Sequence, residues 1–318
     1  MNGEKIEKSK PYKFRTMKKL SLLISIFILS ANLNAEKLTS FLEIINIEDG
    51  SRRIVKTFPH KIEAPNWTQD GKWLIYNSGG KLYKISPDNP QSPVEINTDF
   101  ADSCNNDHVL SPDGKEIAIS HHSKEDGQSR IYTLPIEGGK PTLITAAGPS
   151  YLHGWSPDKK TLSYCAGRKG NYDIYVISAT GGAEKRLTTA PELDDGAEFA
   201  PDGKIWFNSC RTGLMQIWRM NPDGTNQTQI TFDETRNSWF AHPSPNNKLV
   251  AFLSYQKGDV KPESHPANKN VELRIMNSDG TNAKTIAKLF GGQGTINVNS
   301  WAPDNKRLAF VSYKVEKE

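Results

Sequence analysis

One short turn motif recurs six times along the chain at nearly equal intervals, and this recurrence limits the folds open to the sequence more than any other feature. Its copies are TQDGK (68–72), SPDGK (111–115), SPDKK (156–160), APDGK (200–204), SPNNK (244–248) and APDNK (302–306). Proline presets φ for a turn, and an Asp or Asn side chain can bond the backbone two residues further on. The third positions of successive copies are 43, 45, 44, 44 and 58 residues apart. A spacing of about 40–50 residues is typical of the blades of a β-propeller.

The unit between residues 151 and 188 shows what each repeat contains. A short aromatic segment leads into the turn, and LSYCA (162–166) and DIYVISA (173–179) then have the composition of strands. Gly181-Gly182 turns the chain again, and EKRLT (184–188) is the last strand of the unit. Four short strands make one blade, and a blade can bury its apolar faces only against its neighbours. The sequence therefore predicts an all-β fold, a single six-bladed β-propeller with four-stranded antiparallel blades.

The two ends of the repeat region complement each other. The segment VNSWAPDNKRLAFVSY (298–313) contains only the first half of a sixth unit, whereas FLEIINIEDGSRRIVKTF (41–58) has the pattern of an outer half without an inner one. We therefore expect the N-terminal strands to complete the sixth blade, which protects the edges of the sheet. The one long interval is explained by an insertion in the fifth unit, KGDVKPESHPANKN (257–270).

The first 35 residues have the pattern of a cleavable secretory signal. Lys18-Lys19 precede the apolar run LSLLISIFIL (20–29), and small residues lead to Ala35. The run is too short to span a bilayer. We expect residues 1–35 to be a signal peptide and residues 36–318 to be the propeller, a periplasmic or secreted monomer without a transmembrane segment in the mature chain.

The formal net charge of +4 comes from this leader. Residues 1–35 hold seven basic and two acidic side chains, so the rest of the chain has 33 basic and 34 acidic ones. A nearly neutral propeller lacks the basic surface that binding to nucleic acid requires, so we expect no nucleic-acid partner.

Three cysteines occur, at positions 104, 165 and 210, and no CxxC pair is present. An odd number cannot all pair within the chain. Cys165 and Cys210 lie near the ends of second strands in neighbouring units, where a disulfide is conceivable, but buried free thiols are the simpler expectation.

The repeats resemble the PD40 repeats of TolB-like propellers. The resemblance is carried by WSPDK (155–159), DIYV (173–176), the glycine pair at 181–182 and RLT (186–188), and it covers residues 38–318. It implies a binding or scaffold role in the cell envelope, with an envelope protein or peptide held at one face of the channel. TolB itself has a separate α/β domain ahead of its propeller.

Similar repeats occur in oligogalacturonate lyases, whose propeller holds a metal ion with histidines and a glutamine. This second resemblance implies an alternative function, a carbohydrate-active enzyme that acts as a metal-assisted lyase on acidic, uronic-acid-containing oligosaccharides.

Histidines collect where the first strands of the blades begin. The first strands line the channel of a propeller, so these positions should meet at one mouth. Aligned on the turn, His108 and His153 take equivalent positions, and His242 lies one residue away. We predict that these three bind a divalent metal, Mn, Zn or Ca, or act as catalytic acids and bases. For any single histidine, a structural role is the alternative.

Seven other side chains are predicted to bind a ligand near the same mouth: Asn106, His122, Arg168, Asp194, Asn208, Arg211 and Trp239. The two arginines have the fork geometry that suits the carboxylates of an acidic oligosaccharide. The recurring aromatics Trp67, Trp155, Phe199 and Trp301 are instead expected to pack between blades, and His265 in the insertion to lie at the surface unless its loop folds over the mouth.

Overall fold

The computed structural model describes residues 36–317, so the predicted signal peptide, residues 1–35, lies outside the described residues. This part of the chain contains no helix with the length and apolarity needed to cross a membrane. Its strands are β1 Glu36–Asn46, β2 Arg52–Phe58, β3 Glu63–Trp67, β4 Leu74–Ser78, β5 Lys81–Ile85, β6 Val94–Ile96, β7 Cys104–Leu110, β8 Glu116–His122, β9 Ser129–Pro135, β10 Thr142–Leu143, β11 Ser150–Trp155, β12 Thr161–Arg168, β13 Asn171–Ser178, β14 Lys185–Arg186, β15 Asp194–Phe199, β16 Ile205–Thr212, β17 Leu214–Met220, β18 Thr228–Gln229, β19 Arg236–Pro243, β20 Leu249–Gln256, β21 Lys269–Asn277, β22 Lys284–Gly291 and β23 Arg307–Lys317.

The strands form six antiparallel blades arranged in a ring. Blades one to five are four-stranded sheets of consecutive strands, which begin with β3, β7, β11, β15 and β19, and the sixth has the order β2-β1-β23. The inner strands of neighbouring blades pack side by side, and β23 contacts β3 to close the circle. The predicted six-bladed propeller is confirmed.

The sixth blade is completed by the N-terminal strands, as predicted. β1 pairs with β23 along its whole length, from Glu36 opposite Lys317 to Asn46 opposite Arg307. The inner position of this blade is taken by residues 295–302, which join β23 through the bridge between Trp301 and Leu308 and through further backbone hydrogen bonds.

Each predicted turn is held by its own polar side chains. In blade three Ser156 Oγ donates to Asp158 Oδ1 at 2.7 Å, and the same oxygen accepts from the Lys160 amide at 3.1 Å. The turn of blade five has the same bonds, with Asn246 in place of the aspartate. These bonds explain why Asp or Asn recurs at the third position.

The recurring tryptophans pack between blades, as expected. Trp155 lies in one cluster with Ala118 of blade two, and Trp67 lies in one cluster with Ala309 of blade six. Trp301 donates its indole N–H to the carbonyl oxygen of His242 at 2.9 Å. The three cysteines are free and buried, which confirms the simpler expectation.

A β-bulge interrupts the inner strand of each of the first five blades. β3, β11, β15 and β19 each carry one residue more than the strand opposite them, whereas β7 carries two more. In blade three the extra residue is His153, between the paired residues Leu152 and Gly154. In blade two residues 105–107 are unpaired, and His108 resumes the ladder opposite Ile119. Because a bulge redirects side chains, its exact position decides which ones face the channel.

Candidate functional site

A cavity of about 400 Å³ opens at the end of the channel opposite the six turns. We call it the mouth cavity. Four polar side chains and two aromatic rings define it: Asp107, His153, Asp195, His265, Tyr151 and Tyr172. They come from blades two, three and four and from the insertion of blade five, so the cavity exists only because the ring brings these blades together.

The bulges place the polar side chains of the mouth cavity. Asp107 and His153 are bulge residues, and Asp195 is the last paired residue before the bulge of β15. The bulge of β19 contains Phe240, whose φ of 56° is rare for a bulky residue and directs its ring to the cavity wall. The Phe240 amide donates to Asn208 Oδ1 at 3.1 Å, which supports this conformation.

His153, Asp195 and His265 form a connected group. His153 Nε2 lies 2.9 Å from Asp195 Oδ1, and His265 Nε2 lies 3.7 Å from Asp195 Oδ2. The His265 ring packs against Trp239, with ring centroids 4.4 Å apart, and edge-on against Phe240 at 5.0 Å. The insertion of blade five therefore folds over the mouth, which was the alternative to a surface position for His265.

The electrostatics of this group favour an ion pair between His153 and Asp195. Burial alone lowers the pKa of His153, but the carboxylates of Asp195 and Asp107 raise it above its usual value. Burial raises the pKa of Asp195, yet the hydrogen-bonded His153 outweighs this effect and brings that pKa to about 2. Burial lowers the pKa of His265, which keeps this imidazole neutral near pH 7.

Asp107 titrates closer to neutrality than an ordinary carboxyl. Burial raises its pKa to about 6, although His153 and the amide of Asn105 oppose the shift. Asn105 Nδ2 donates to Asp107 Oδ2 at 2.5 Å. A charged group kept in an environment that raises its pKa costs folding stability, which is common where a group has a functional role.

Asp107→Asn is expected to stabilise the fold at pH 8 by about 3 kcal/mol, because a raised carboxyl pKa costs stability once the group is charged. The groups that face this carboxyl are His153, Asp195, Glu63 and Asn105. Below about pH 4 Asp107 is protonated in both the folded and the unfolded chain, so the advantage of the variant should fade as the pH falls from 6 to 4. Urea unfolding at pH 8 and pH 4.5 measures this difference; a destabilised variant at pH 8 would contradict the assignment.

The predicted site residue His108 lies outside the mouth cavity. Its side chain is fully buried, and neither ring nitrogen makes a well-aligned hydrogen bond among the described residues, although the backbone of Ile75 and Ala64 lies close to the ring. Burial lowers its pKa to about 4, so the ring is neutral. Alignment on the turn made His108 equivalent to His153, but the longer bulge of β7 puts Asp107 at the channel and returns His108 to the ladder.

His242 is also buried, and both of its ring nitrogens have hydrogen-bond partners. Its Nδ1 lies 2.6 Å from Glu198 Oε2, and its Nε2 contacts the carbonyl oxygen of Ile296. Glu198 and Asn299, whose Nδ2 lies 2.5 Å from Glu198 Oε1, line a separate cavity of about 340 Å³ at the turn end of the channel. His242 therefore ties blades four, five and six together.

A metal shared by His108, His153 and His242 does not fit this donor set. Both nitrogens of His242 already have partners, and His153 Nε2 faces Asp195. Within residues 36–317 no three His, Cys, Asp or Glu side chains are arranged to hold a metal ion. The metal site stays a prediction, with no geometric support from these three histidines.

The two arginines predicted to bind carboxylates are paired inside the protein. Arg168 Nε and Nη2 donate to Glu184 at 2.9 and 3.0 Å. Arg211 Nη2 donates to both oxygens of Asp194 at 3.0 and 2.8 Å, and this carboxylate is fully buried. Neither arginine lines the mouth cavity.

Of the other predicted ligand-binding residues, one lines the mouth cavity and three are buried outside its lining. His122 lines the mouth cavity, and Asn208 and Trp239 support it from below Phe240 and His265. Trp239 is fully buried and does not itself reach the cavity. Asn106 is buried and donates to Glu63 Oε1 at 3.1 Å, while its neighbour Asn105 lines the cavity.

The tyrosines of the mouth cavity and the carboxylates Asp107 and Asp195 were not among the predicted site residues. Tyr151 and Tyr172 have the composition of ordinary strand residues, so they gave no signal. The sequence signal for Asp107 and Asp195 is their position just ahead of the inner strands, in the polar segments NND (105–107) and DD (194–195).

Comparisons with known proteins agree on one family. The pattern of the TolB beta propeller domain, called PD40, matches residues 153–264. An uncharacterised protein of Agrobacterium fabrum is 46% identical over 275 residues, which cover 86% of this chain and 92% of that protein. A solved structure from Agrobacterium tumefaciens, provisionally named TolB, is 46% identical with a TM-score of 0.83, and the match covers 87% of this chain and 99% of that one.

More distant similarities show the same fold in proteins of different function. The Tol-Pal system protein TolB of Francisella tularensis is 26% identical over 271 residues, and the match covers 82% of this chain but only 59% of that protein. An oligogalacturonate lyase solved in complex with manganese is 13% identical with a TM-score of 0.52, covering 88% of this chain and 97% of that one. At that identity the likeness concerns the fold alone.

Proposed function

Because the chain belongs to the TolB-like β-propeller family, we propose that it is a binding protein of the cell envelope that holds a peptide segment of another protein in its mouth cavity. Residues 1–35 act as the export signal, and the mature protein works as a monomer in the periplasm or outside the cell. The relatives named Tol-Pal system protein TolB support a place in the envelope, but this chain spans only 59% of their length, so their partners are not carried over.

The observation that carries the proposal is the shape and chemistry of the mouth cavity. It is concave, about 400 Å³ in volume, and walled by Tyr151, Tyr172 and Phe240, with polar groups at a few fixed positions. Sites of this kind bind small groups or anchoring side chains of a partner. Aromatic rings supply most of the contact energy in such anchoring sites because they bury a large apolar area.

The alternative function, a metal-assisted lyase on uronic-acid-containing oligosaccharides, has less support. Arg168 and Arg211, the side chains suited to uronate carboxylates, are already paired with Glu184 and Asp194. The one favourable feature is Asp107, which titrates near neutrality beside His153 and so suits proton transfer. A lyase would also need the predicted metal, for which the three histidines offer no shared centre.

Replacing Tyr151 and Tyr172 together by alanine is expected to weaken peptide binding at least tenfold, which corresponds to about 1.4 kcal/mol. Peptides are first selected on the full chain from a random phage-displayed library, and their affinities are then measured by fluorescence anisotropy. Both rings line the cavity, so their removal takes away apolar contact and leaves the charges in place.

Phe232→Ala is the matched control, because Phe232 is the most exposed large apolar side chain described, at 73%, and does not line the mouth cavity. It should bind the selected peptides as the unchanged protein does. Equal binding by the double tyrosine variant, or a selection that yields no peptide, would reject the proposed function.

A further inference from the structure

The mouth cavity contains more negative than positive charge. Three carboxylates line it, those of Asp107, Asp195 and Glu263, and no lysine or arginine does. Among its histidines, His153 is already paired with Asp195 at 2.9 Å. The neighbouring His265 is neutral near pH 7 because burial lowers its pKa. The cavity is therefore suited to a ligand that carries positive charge.

Asp107 has an unused acceptor in this cavity. The residue is only 4% exposed. Its Oδ2 accepts from Asn105, while its Oδ1 has no hydrogen-bond partner among residues 36–317. This carboxylate oxygen is therefore free to accept a hydrogen bond from a ligand that enters the cavity. The donor it lacks is one that an ammonium or guanidinium group provides.

His265 forms the side of the cavity next to Asp195. Its Nδ1 is buried and has no partner among the described residues, whereas its Nε2 faces Asp195. The ring is held between Trp239 and Phe240, so it cannot turn freely to find water. His265 therefore presents Nε2, and not its buried Nδ1, towards Asp195.

The walls of the cavity also suit a cation. Tyr151 and Tyr172 lie with ring centroids 6.3 Å apart, and both line the cavity together with Phe240. Aromatic faces attract ammonium and guanidinium groups through the ring quadrupole, and the apolar ring edges accept the alkyl part of a lysine or arginine side chain. The negative charge, the unused acceptor of Asp107 and the aromatic walls thus favour the same type of ligand.

We propose that the mouth cavity is a recognition site for an organic cation, the side chain of a lysine or arginine residue in the bound partner. This inference rests on the proposed function and specifies what anchors the partner. Asp107 binds the cationic head directly, Tyr151 and Tyr172 contact its alkyl chain, and the pairing of His153 with Asp195 fixes the side chains next to Asp107.

The test measures the binding of four small probes that share a butyl chain to the full chain by ligand-observed NMR titration. Butylammonium and butylguanidinium carry the proposed charge, butanol is neutral, and butyrate carries the opposite charge. We expect both cations to bind at least tenfold more tightly than butanol, and butyrate to show no saturable binding. Equal binding of butanol, or tighter binding of butyrate, would overturn the proposal.

Two variants assign the binding to the cavity. Asp107→Asn should weaken the binding of both cations at least tenfold, and Glu263→Gln, a change at an exposed position, should weaken it less. The control is Asp202→Asn, which removes the same charge in the turn of blade four and introduces the residue that blade five carries there, Asn246. Unchanged cation binding in Asp107→Asn would refute the role of this carboxylate. Displacement of the probe by micromolar Mn²⁺, Zn²⁺ or Ca²⁺ would reassign the cavity to a metal ion.

The selected peptides separate this inference from the proposed function. If both hold, the peptides contain a lysine or arginine whose replacement by norleucine weakens binding tenfold in the unchanged protein but not in Asp107→Asn. If peptides bind through Tyr151 and Tyr172 but tolerate norleucine, the inference fails and the proposed function stands. If the cationic probes bind but no peptide is selected, the cation site stands and the peptide-binding function fails.

Discussion

A chain that lacks residues 36–58 is expected to lose its cooperative fold, because these residues form the two outer strands of the sixth blade. Five of their apolar side chains are buried: Leu42, Ile44, Ile45, Val55 and Phe58. At about 1.5–3 kcal/mol for each, their loss removes about 10 kcal/mol of burial free energy. That is comparable with the whole free energy of unfolding of a typical domain, about 5–15 kcal/mol.

Thermal unfolding followed by circular dichroism measures this loss, and a synthetic peptide of residues 36–58 added to the truncated chain should restore a folding transition. Two single substitutions compare the stability contributed by a buried and by an exposed side chain of this segment. Leu42→Ala, at a fully buried position, should cost about 3 kcal/mol. Ile54→Ala on β2, where the side chain is 54% exposed, should change stability by less than about 0.5 kcal/mol. A truncated chain that melts at the original temperature would disprove the role of the N-terminal strands in closing the ring.

Arg211→Met is expected to destabilise the fold by about 3–5 kcal/mol, because it leaves the carboxylate of Asp194 buried without a counter-charge. Arg211 Nη2 lies 2.8 Å from Asp194 Oδ2, and the Asp194 side chain has no exposed surface. Methionine keeps much of the apolar contact that the arginine makes with Trp218, whose ring centroid lies 4.7 Å from the guanidinium carbon. The loss therefore reports mainly the uncompensated charge.

Two comparisons make the measurement specific. The double variant Arg211→Met with Asp194→Asn removes both charges and should recover most of the lost stability in urea unfolding at pH 7. Arg130→Met breaks a pair with Asp126, whose side chain is 39% exposed, and should cost less than about 1 kcal/mol. Equal costs for Arg211→Met and Arg130→Met would show that the buried pair contributes no more than a surface pair.

The fold could be predicted from the sequence because it depends on local signals that repeat. Each turn motif is held by bonds between residues two apart, such as Ser156 with Asp158, and these bonds need no knowledge of the rest of the molecule. The closure of the sixth blade followed from counting strands, since one half-blade at each end leaves a single way to satisfy both edges. The family assignment followed from the same repeats.

Only the region of the site could be predicted from the sequence. The prediction assumed that side chains alternate between the two faces of each inner strand, from the turn back to the first residue of the strand. The two extra residues of β7 break that assumption, and they place Asp107 where His108 was expected. Nothing in the sequence gives the length of a bulge, since it depends on what the neighbouring blades allow. His153 was placed correctly at the mouth because its blade carries the shorter bulge.

The roles of the arginines could not be predicted for a different reason. Arg168 and Arg211 are paired with residues 16 and 17 positions away in sequence, Glu184 and Asp194. Whether an arginine at the end of a strand meets a ligand or a neighbour depends on these tertiary distances. The direction of the fifth-blade insertion, which brings His265 over the mouth, was likewise open, because loop length fixes how far a loop reaches and not where it folds.

The bulges have an evolutionary consequence. Inserting or deleting one residue in a strand commonly shifts every later side chain to the opposite face and destroys the sheet. Here the turn that follows each inner strand is anchored by its own bonds, and the unpaired residues before it can change in number without moving the turn or the adjacent strand. We expect relatives of this protein to have acquired new specificities through single-residue length changes just ahead of the turns, with the ring of blades preserved.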